Sequence, residues 1–269
     1  MFPGRRRFAS RAVAVLAPLL LVMLAATVSR AWESPAWADL LARHVKPGRI
    51  DQTRLTMVEY AALGADPVYR QALAEFEAAD PDAMAGEDER FAFWINAYNL
   101  MAVRTVVDHY PVASIRDAGG FFRPVWKRVA GKVAGREVTL DQIEHEILRP
   151  RFRDPRVHFA IVCASVSCPD LRPEPYRAQT LSAQLDDAAL SFLANPAKGL
   201  RIDEESKSLQ VSSIFKWFAE DFAPAGGIVA FVKAKADGDI AGRVAAFGDA
   251  DLTYLDYDWS LNDRARRVR

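Results

Sequence analysis

The chain has 269 residues, 51% of them apolar, which is enough to bury one full hydrophobic core. Its 35 basic and 35 acidic residues balance, but five of the basic residues and none of the acidic ones fall within residues 1–31, so residues 32–269 carry a net charge of −5. Because binding to nucleic acid relies on clustered Lys and Arg, this charge argues against a nucleic-acid partner.

The N-terminal segment is typical of a secretory signal peptide. Four arginines between positions 5 and 11 precede an apolar run over residues 12–28, and Ser29-Arg30-Ala31 supplies the small residues that signal peptidase reads. We therefore expect cleavage before Trp32 and a periplasmic or secreted protein. The alternative is an uncleaved inner-membrane anchor through residues 12–28, although this run is shorter than the roughly 20 residues of a membrane-spanning helix. Arg5-Arg6-Arg7-Phe8 leaves both the general and the twin-arginine export routes open.

Residues 32–269 contain no repeat and no Gly/Ser linker, so we predict a single exported domain. Residues 35–89 read as helices separated by Pro47-Gly48 and Asp66-Pro67, with an acidic loop over 79–89. Residues 90–109 form the strongest helix candidate, which stops ahead of Pro111.

The helix predicted over residues 90–109 is apolar on nearly every face. At about 100° per residue, Ala97, Arg104 and Asp108 fall on one strip that can face water. Asn96 and Asn99 lie away from that strip among apolar side chains, and a buried amide without a hydrogen-bond partner costs about 1–3 kcal/mol. We therefore expect both asparagines to meet polar groups of another element.

The rest of the chain mixes helices and strands without strict alternation. This order favours a helix-rich α+β fold with a small mixed or antiparallel sheet. Thr139 and Gln142 form a capping box that opens a helix over residues 140–149, which Pro150 ends. The remaining predicted elements are a buried strand over 156–162, a turn at 163–169, a helix over 181–194, a hairpin of 200–202 with 209–211, a helix over 214–222 and a last strand over 252–255.

Glu144 is the most informative single residue of the sequence. On the 140–149 helix it lies in the middle of an apolar stripe formed by Leu140, Ile143, Ile147 and Leu148. A carboxylate in such a stripe is rarely buried without a partner. Glu144 is therefore either a structural group paired with an arginine such as Arg149 or Arg156, or a functional carboxylate with Asn96 or Asn99 as its neighbour.

Two histidines, His145 and His158, lie near Glu144 in the sequence. His145 follows it at the edge of the stripe, one turn after Asp141, and an acid four residues earlier can orient the ring and raise its basicity. The alternative for His145 is a boundary residue with one backbone hydrogen bond. His158 falls inside the predicted strand and reads as a packed or paired residue.

Cys163 and Cys168 are the only cysteines, and both fall in the turn after the predicted buried strand. A thiol held at the end of a core element suits a nucleophile, and a Cys/His pair with an acidic orienter is the general arrangement for acyl transfer. Two cysteines in an exported protein more often form a disulfide, and the four-residue loop between these two can close. Both interpretations stay open.

We predict no bound metal and no cofactor. No predicted helix carries two histidines at ligand spacing, and the two cysteines lack a second ligand pair in the sequence. Neither a phosphate-binding Gly-rich loop nor a G-x-S-x-G motif occurs.

Several segments together resemble one family, the domain of unknown function 547. They are FAFWINAYNL at 91–100, LDQIEHEILR at 140–149, DPRVHFA at 154–160, SVSCP at 165–169 and YDWSLN at 257–262. The resemblance covers residues 85 to about 262, and the family has no assigned activity. It implies that six residues belong to shared motifs: Asn96, Asn99, Glu144, Arg149, Ser165 and Ser167.

Two functions follow as hypotheses. The first is a cysteine-type hydrolase or acyl-transferase with Cys163 as nucleophile, His145 as base and Glu144 as a buried orienter, acting on a small-molecule, peptide or envelope substrate. Asn96, Asn99, Ser165, Ser167 and Arg149 are then its expected substrate-binding residues. The second is a non-catalytic envelope module for binding or structure, with a Cys163–Cys168 disulfide.

Overall fold

The computed structural model describes residues 31–120, 123–203, 205–206, 208–247 and 251–265. The chain divides into two units, Met1–Arg30 and Ala31–Arg269, and the predicted signal peptide, residues 1–31, lies outside the described residues except for Ala31. The structure is about 53% helical with sheets of two or three strands, so the predicted α+β class is confirmed. Among the described residues, no helix is long and apolar enough to cross a membrane.

The α-helices are α1 (Pro35–His44), α2 (Tyr60–Ala65), α3 (Pro67–Ala78), α4 (Glu87–His109), α5 (140–152), α6 (Leu181–Leu193), α7 (Ser213–Trp217), α8 (Ala219–Phe222), α9 (Ile228–Lys235) and α10 (Gly238–Val244). The strands are β1 (Val45–Ile50), β2 (Thr53–Val58), β3 (Val129–Val133), β4 (Arg136–Thr139), β5 (Leu200–Asp203), β6 (Ser208–Val211) and β7 (Leu252–Tyr254). Short 3₁₀ segments lie at Ile115–Ala118, Val125–Lys127, Pro155–Phe159, Ala178–Thr180 and Ala223–Ala225.

The strands form three small sheets. β1 pairs with β2 and β3 with β4 as antiparallel hairpins, whereas β6 pairs antiparallel with β5 and parallel with β7. The hairpin β5–β6 and the last strand are confirmed. The prediction of helix over 45–58 is wrong: Pro47 lies in β1 opposite Thr56, a position that tolerates proline because both strands of an isolated hairpin are edges.

The long helix α4 runs through the middle of the larger core. It packs against α2, β3, the 3₁₀ segments Ile115–Ala118 and Ala178–Thr180, and the centre of α5. Ala97, predicted to face water, is fully buried because these elements cover α4 on several sides. Arg104 and Asp108 do reach solvent, where they form an ion pair at 3.2 Å.

Helix α5 has an unusual middle. Thr139 and Gln142 form the predicted capping box, with both bonds at 3.0 Å, and Leu140–Gln142 is α-helical. Ile143–Leu148 is then a π-helix, in which the Arg149 N–H donates to the carbonyl of Glu144. The helix does not end at Pro150, because the proline falls in the first turn of the last α-helical piece, Arg149–Phe152, where a missing N–H is tolerated.

The predicted strand over 156–162 is wrong. Asp154 caps a 3₁₀ helix, Pro155–Phe159, by accepting from the Arg156 N–H at 2.9 Å, and proline favours its first position. The segment is buried as predicted, since residues 157–160 are all at most 3% exposed. Burial on all sides removes the alternation that separates a strand from a helix, so the apolar run alone could not distinguish them.

Candidate active-site cleft

A cleft of about 160 Å³ opens where α4, α5, the turn at 163–168 and the C-terminal segment meet. Its lining includes two cysteines, two carboxylates, two histidines and two tyrosines: Cys163, Cys168, Asp141, Glu144, His145, His158, Tyr98 and Tyr257. Aromatic side chains of Trp126, Trp217, Phe218 and Trp259 form its walls. The cleft therefore joins a polar floor to apolar, largely aromatic walls, a combination typical of small-molecule sites.

Cys163 places its sulfur among hydroxyl groups at the floor of the cleft. Its Sγ lies 3.2 Å from Ser165 Oγ and 3.1 Å from Tyr257 Oη. Both cysteines are free thiols, and the Cys163 backbone N–H donates to Cys168 Sγ at 2.7 Å. Cys168 is buried, whereas Cys163 is partly accessible, so Cys163 is the thiol that a reagent in the cleft can reach.

The two thiols have opposite pKa shifts. Burial alone raises the pKa of Cys163, but hydrogen bonds with Cys168, Ser165 and Tyr257 outweigh burial and lower it to about 7. Burial raises the pKa of Cys168 well above its ordinary value, and the neighbouring Cys163 adds to this rise. The lowered pKa of Cys163 favours its thiolate, the nucleophilic form, near neutral pH.

The backbone around Cys163 is held in a strained turn. Ala164 has φ of 58°, a left-handed conformation that costs a residue with a Cβ about 1–3 kcal/mol and that clusters at functional sites. The C-terminal segment holds the turn in place: Asn262 N–H donates to Ala164 O at 3.1 Å and Val166 N–H to Ser260 O at 2.9 Å. These bonds also bring Tyr257 to the sulfur.

Ser165 and Ser167 take different places in this turn. Ser165 is buried beside the sulfur, and its hydroxyl also lies 3.4 Å from that of Tyr257. Ser167 points away from the sulfur, where its Oγ accepts from the Asp258 N–H at 2.9 Å. Ser167 thus fixes the C-terminal segment rather than facing the cleft.

The two asparagines of α4 bind backbone, as the helix pattern predicted. Asn99 donates to Ala160 O at 2.9 Å and accepts from the Val162 N–H at 3.0 Å, which holds the segment leading to Cys163. Asn96 forms the same pair of bonds with the N–H and O of Tyr176. Neither asparagine lines the cleft, so neither is placed to donate to a substrate there.

Glu144 is buried, 9% exposed, beside the hydroxyl of Tyr98. Tyr98 donates to its Oε2 at 3.2 Å, and Arg149, a partner expected from the sequence, pairs elsewhere. Burial raises the pKa of Glu144 to about 7; the Tyr98 bond and the charge of Arg149 oppose that rise, and Cys163 adds to it. Glu144 and the thiol thus titrate in the same pH range and influence each other.

His145 lies at the edge of the cleft and is engaged by Arg149. The Nη1 of Arg149 is 2.7 Å from His145 Nδ1, and arginine only donates, so Nδ1 is the acceptor and Nε2 carries the proton. Burial and the charge of Arg149 lower the pKa of His145. With its basic nitrogen occupied, His145 is an N–H donor in this arrangement rather than the predicted base.

A second histidine, His158, is oriented by a carboxylate that the sequence analysis did not identify. His158 Nε2 lies 2.7 Å from Asp221 Oδ2, and its ring stacks on Phe218 with centroids 4.1 Å apart. Arg149 donates to the same carboxylate at 2.6 and 3.0 Å and to Glu220 at 2.7 Å. Burial lowers the pKa of His158, with Asp221 opposing, which favours the neutral ring; in that form Nε2 donates to Asp221 and Nδ1 is left as an acceptor.

Aromatic contacts at the mouth of the cleft were also missed. Trp217 and Trp259 stack with centroids 5.7 Å apart, and Tyr257 lies 4.8 Å and 4.6 Å from these rings. Arg116 lies over Trp259 at 5.2 Å. Trp259 and Tyr257 belong to the YDWSLN segment, so the sequence motif could have identified them as site residues. No local sequence pattern identifies Trp217 or Asp221.

The described residues show no set of side chains that could bind a metal ion. Within the part of the chain that the structure describes, no group of three His, Cys, Asp or Glu side chains could hold an ion. The cleft is lined by the thiols of Cys163 and Cys168, the carboxyl groups of Asp141 and Glu144, and the ring N–H and O–H groups of its histidines and tyrosines.

The comparisons with known proteins support one relationship. Searches of curated proteins and of solved structures found no match. The model of a family described as "Protein of unknown function, DUF547" matches residues 81–193, a range that contains α4, α5 and the turn of the two cysteines but not Tyr257. The resemblance to the DUF547 family, predicted from the sequence motifs, is confirmed over residues 81–193.

Proposed function

We propose that the cleft catalyses hydrolysis or acyl transfer through Cys163 in a protein exported to the periplasm or beyond. The single observation that carries this proposal is the position of Cys163 Sγ at the floor of the cleft, 3.2 and 3.1 Å from two hydroxyl groups. In the thiolate form both hydroxyls can donate to the sulfur, which stabilises the charge of a nucleophile. The lowered pKa of Cys163 supports the same role.

The proposed reaction has two steps. In the first, the Cys163 thiolate attacks the carbonyl carbon of an ester, thioester or amide; a C–S bond forms, the bond to the leaving group breaks, and Glu144 gives the leaving group its proton. In the second, water or another nucleophile attacks the thioester, passes its proton to the Glu144 carboxylate and releases the thiolate. A pKa of about 7 suits a group that donates and then accepts a proton.

The remaining polar groups position the nucleophile and stabilise the charge that develops on the substrate. His145 offers its Nε2–H to the substrate carbonyl oxygen as negative charge develops there, a role first expected of Asn96 or Asn99. Asn99 keeps the segment before Cys163 in place through the Ala160 carbonyl and the Val162 N–H. The aromatic walls favour an acyl donor with a flat or apolar portion.

A second function rests on the closeness of the two cysteines. The Cys163 backbone N–H donates to Cys168 Sγ at 2.7 Å, and an oxidising compartment would convert such a neighbouring pair to a disulfide. The protein would then be a non-catalytic envelope module in which Glu144 closes a buried polar network. Thiol state separates the two proposals.

The test uses the full chain, exported by a Gram-negative host and recovered from its periplasm. Intact mass after alkylation in denaturant, with and without prior reduction, counts free thiols; two without reduction support the thiol enzyme, and none supports the disulfide module. p-Nitrophenyl acetate is then the probe, and a mass gain of one acetyl group on Cys163 is expected. Cys163→Ser must abolish that acylation while Glu144→Gln slows release of p-nitrophenol. Acetylation that persists in Cys163→Ser contradicts the proposal.

A further inference from the structure

Trp32 is anchored by both its backbone and its ring. Its backbone nitrogen donates to Glu89 Oε1 at 2.5 Å, in a partly buried contact 57 residues away along the chain. Its indole ring packs edge-on against Phe76 and Phe93, with centroids 4.9 and 4.8 Å away and interplanar angles of 75° and 82°. No part of the Cys163 chemistry uses these contacts.

The carboxylate that receives Trp32 is itself fixed. Glu89 belongs to the first turn of α4, and its other oxygen accepts from the Ala85 N–H at 3.1 Å. The next residues of the chain are equally well held, since Ser34 caps α1 through the Trp37 N–H and donates to Glu75. The chain is thus attached to the domain from Trp32 onward, which is the residue that the signal pattern places first after cleavage.

We propose that Trp32 is the first residue of the mature protein and that its free α-ammonium group binds Glu89 while its ring packs edge-on against Phe76 and Phe93. This inference rests on the proposed export. The step that creates the group is hydrolysis by a signal peptidase: water adds across the Ala31–Trp32 peptide bond, the C–N bond breaks, and Ala31 leaves as a carboxylate.

Cleavage strengthens the contact with Glu89. In the precursor, the Trp32 nitrogen is a neutral amide with one donor, whereas an α-amino group has an ordinary pKa of about 7.7–8.0 and is largely an ammonium ion at neutral pH. The bond to the Glu89 carboxylate then becomes charge-assisted, which roughly doubles the strength of a hydrogen bond. The contacts with Phe76 and Phe93 add side-chain selectivity, because an aromatic first residue packs favourably against two aromatic rings.

The experiment measures the N-terminal residue and the reactivity of its amine. The full chain is exported and purified from the periplasm, and the N-terminal peptide is identified by mass spectrometry. The native protein and the same protein in denaturant are then acetylated at pH 7 with an N-hydroxysuccinimide ester, and modification of that peptide is followed over time. We expect Trp32 as the first residue and about ten-fold slower acetylation in the native state, since the charge-assisted bond protects the amine.

Two variants test whether the Glu89 carboxylate is the group that protects the Trp32 amine from acetylation. Glu89→Gln should remove most of the protection, whereas Asp88→Asn, which removes a neighbouring exposed charge from the same helix turn, should leave it within about two-fold of the wild type. The native-to-denatured ratio of the wild type decides the question alone if Glu89→Gln does not fold.

Each outcome has one meaning. A protein that retains Met1 overturns the proposed export processing together with this inference. A first residue other than Trp32 overturns the inference and leaves export standing. Trp32 as the first residue with an amine that reacts equally fast in both states leaves processing standing and overturns the binding to Glu89.

Discussion

Replacement of Glu144 by glutamine should change how the stability of the protein depends on pH. Burial raises the pKa of this carboxyl from 4.5 to about 7 in the folded state, whereas the unfolded chain releases the proton near the ordinary value. Between these pH values the folded protein holds a proton that the unfolded chain has lost. Below pH 4.5, ionisation of Glu144 therefore does not change the free energy of unfolding. This free energy falls as pH rises above 4.5, and the decrease is complete above pH 7.

The magnitude follows from the window between the two pKa values. Each pH unit in that window costs about 1.4 kcal/mol, so the whole penalty is about 3 kcal/mol. Glutamine keeps an oxygen that can accept from Tyr98 Oη and has no proton to lose. The free energy of unfolding of Glu144→Gln minus that of the wild type should thus rise by about 3 kcal/mol from acidic to neutral pH.

Urea unfolding followed by tryptophan fluorescence at several pH values measures this difference, since the chain has six tryptophans. Glu146→Gln is the matched control, because it removes an exposed carboxylate from the same helical turn. Its difference from the wild type should stay nearly flat with pH. A flat difference for Glu144→Gln as well, or one that falls with pH, would refute a buried carboxyl with a raised pKa.

Three further substitutions test the surroundings of the thiol. Tyr257→Phe removes a donor to Cys163 Sγ, and the midpoint pH of Cys163 alkylation should rise by about one unit; an unchanged midpoint contradicts the contact. Asn99→Ala leaves two buried backbone groups without partners and should cost about 2–5 kcal/mol in urea unfolding; a loss below about 1 kcal/mol would disprove its positioning role. Burial raises the pKa of Asp221, but the hydrogen bonds from His158 and Arg149 outweigh it and hold this pKa well below the ordinary 3.8. Wild-type stability should therefore fall as pH drops below about 4, and Asp221→Asn should lack that part of the acid sensitivity.

The parts of the fold that local chemistry determines were predictable. The long apolar run ending before Pro111 identified α4, and the capping box identified the start of α5. The burial of Glu144 followed from its place in the apolar stripe, even though the helix there is π-helical. The hydrogen bonds of Asn99 to another segment were predictable because a buried amide without a partner is costly.

Contacts between distant parts of the chain were not predictable in the same way. Tyr257 reaches Cys163 across 94 residues and Asp221 reaches His158 across 63, and neither pair leaves a local pattern. The predicted role of His145 differs from the observed one because a contact was not anticipated. Its spacing from Asp141 suggested an oriented base, but the two side chains are 3.9 Å apart, and Arg149 instead occupies the basic nitrogen at 2.7 Å.

The proposed function requires Cys163 to be an activated thiol, which the pH dependence of its alkylation measures. Iodoacetamide is applied to the native exported protein over a range of pH, and modification of each cysteine is followed separately by mass spectrometry. We expect Cys163 to react with a midpoint of about 7 while Cys168 stays unmodified, because burial raises its pKa. A Cys163 midpoint at the ordinary value of 9.0, or no free thiol at either position, would contradict this expectation.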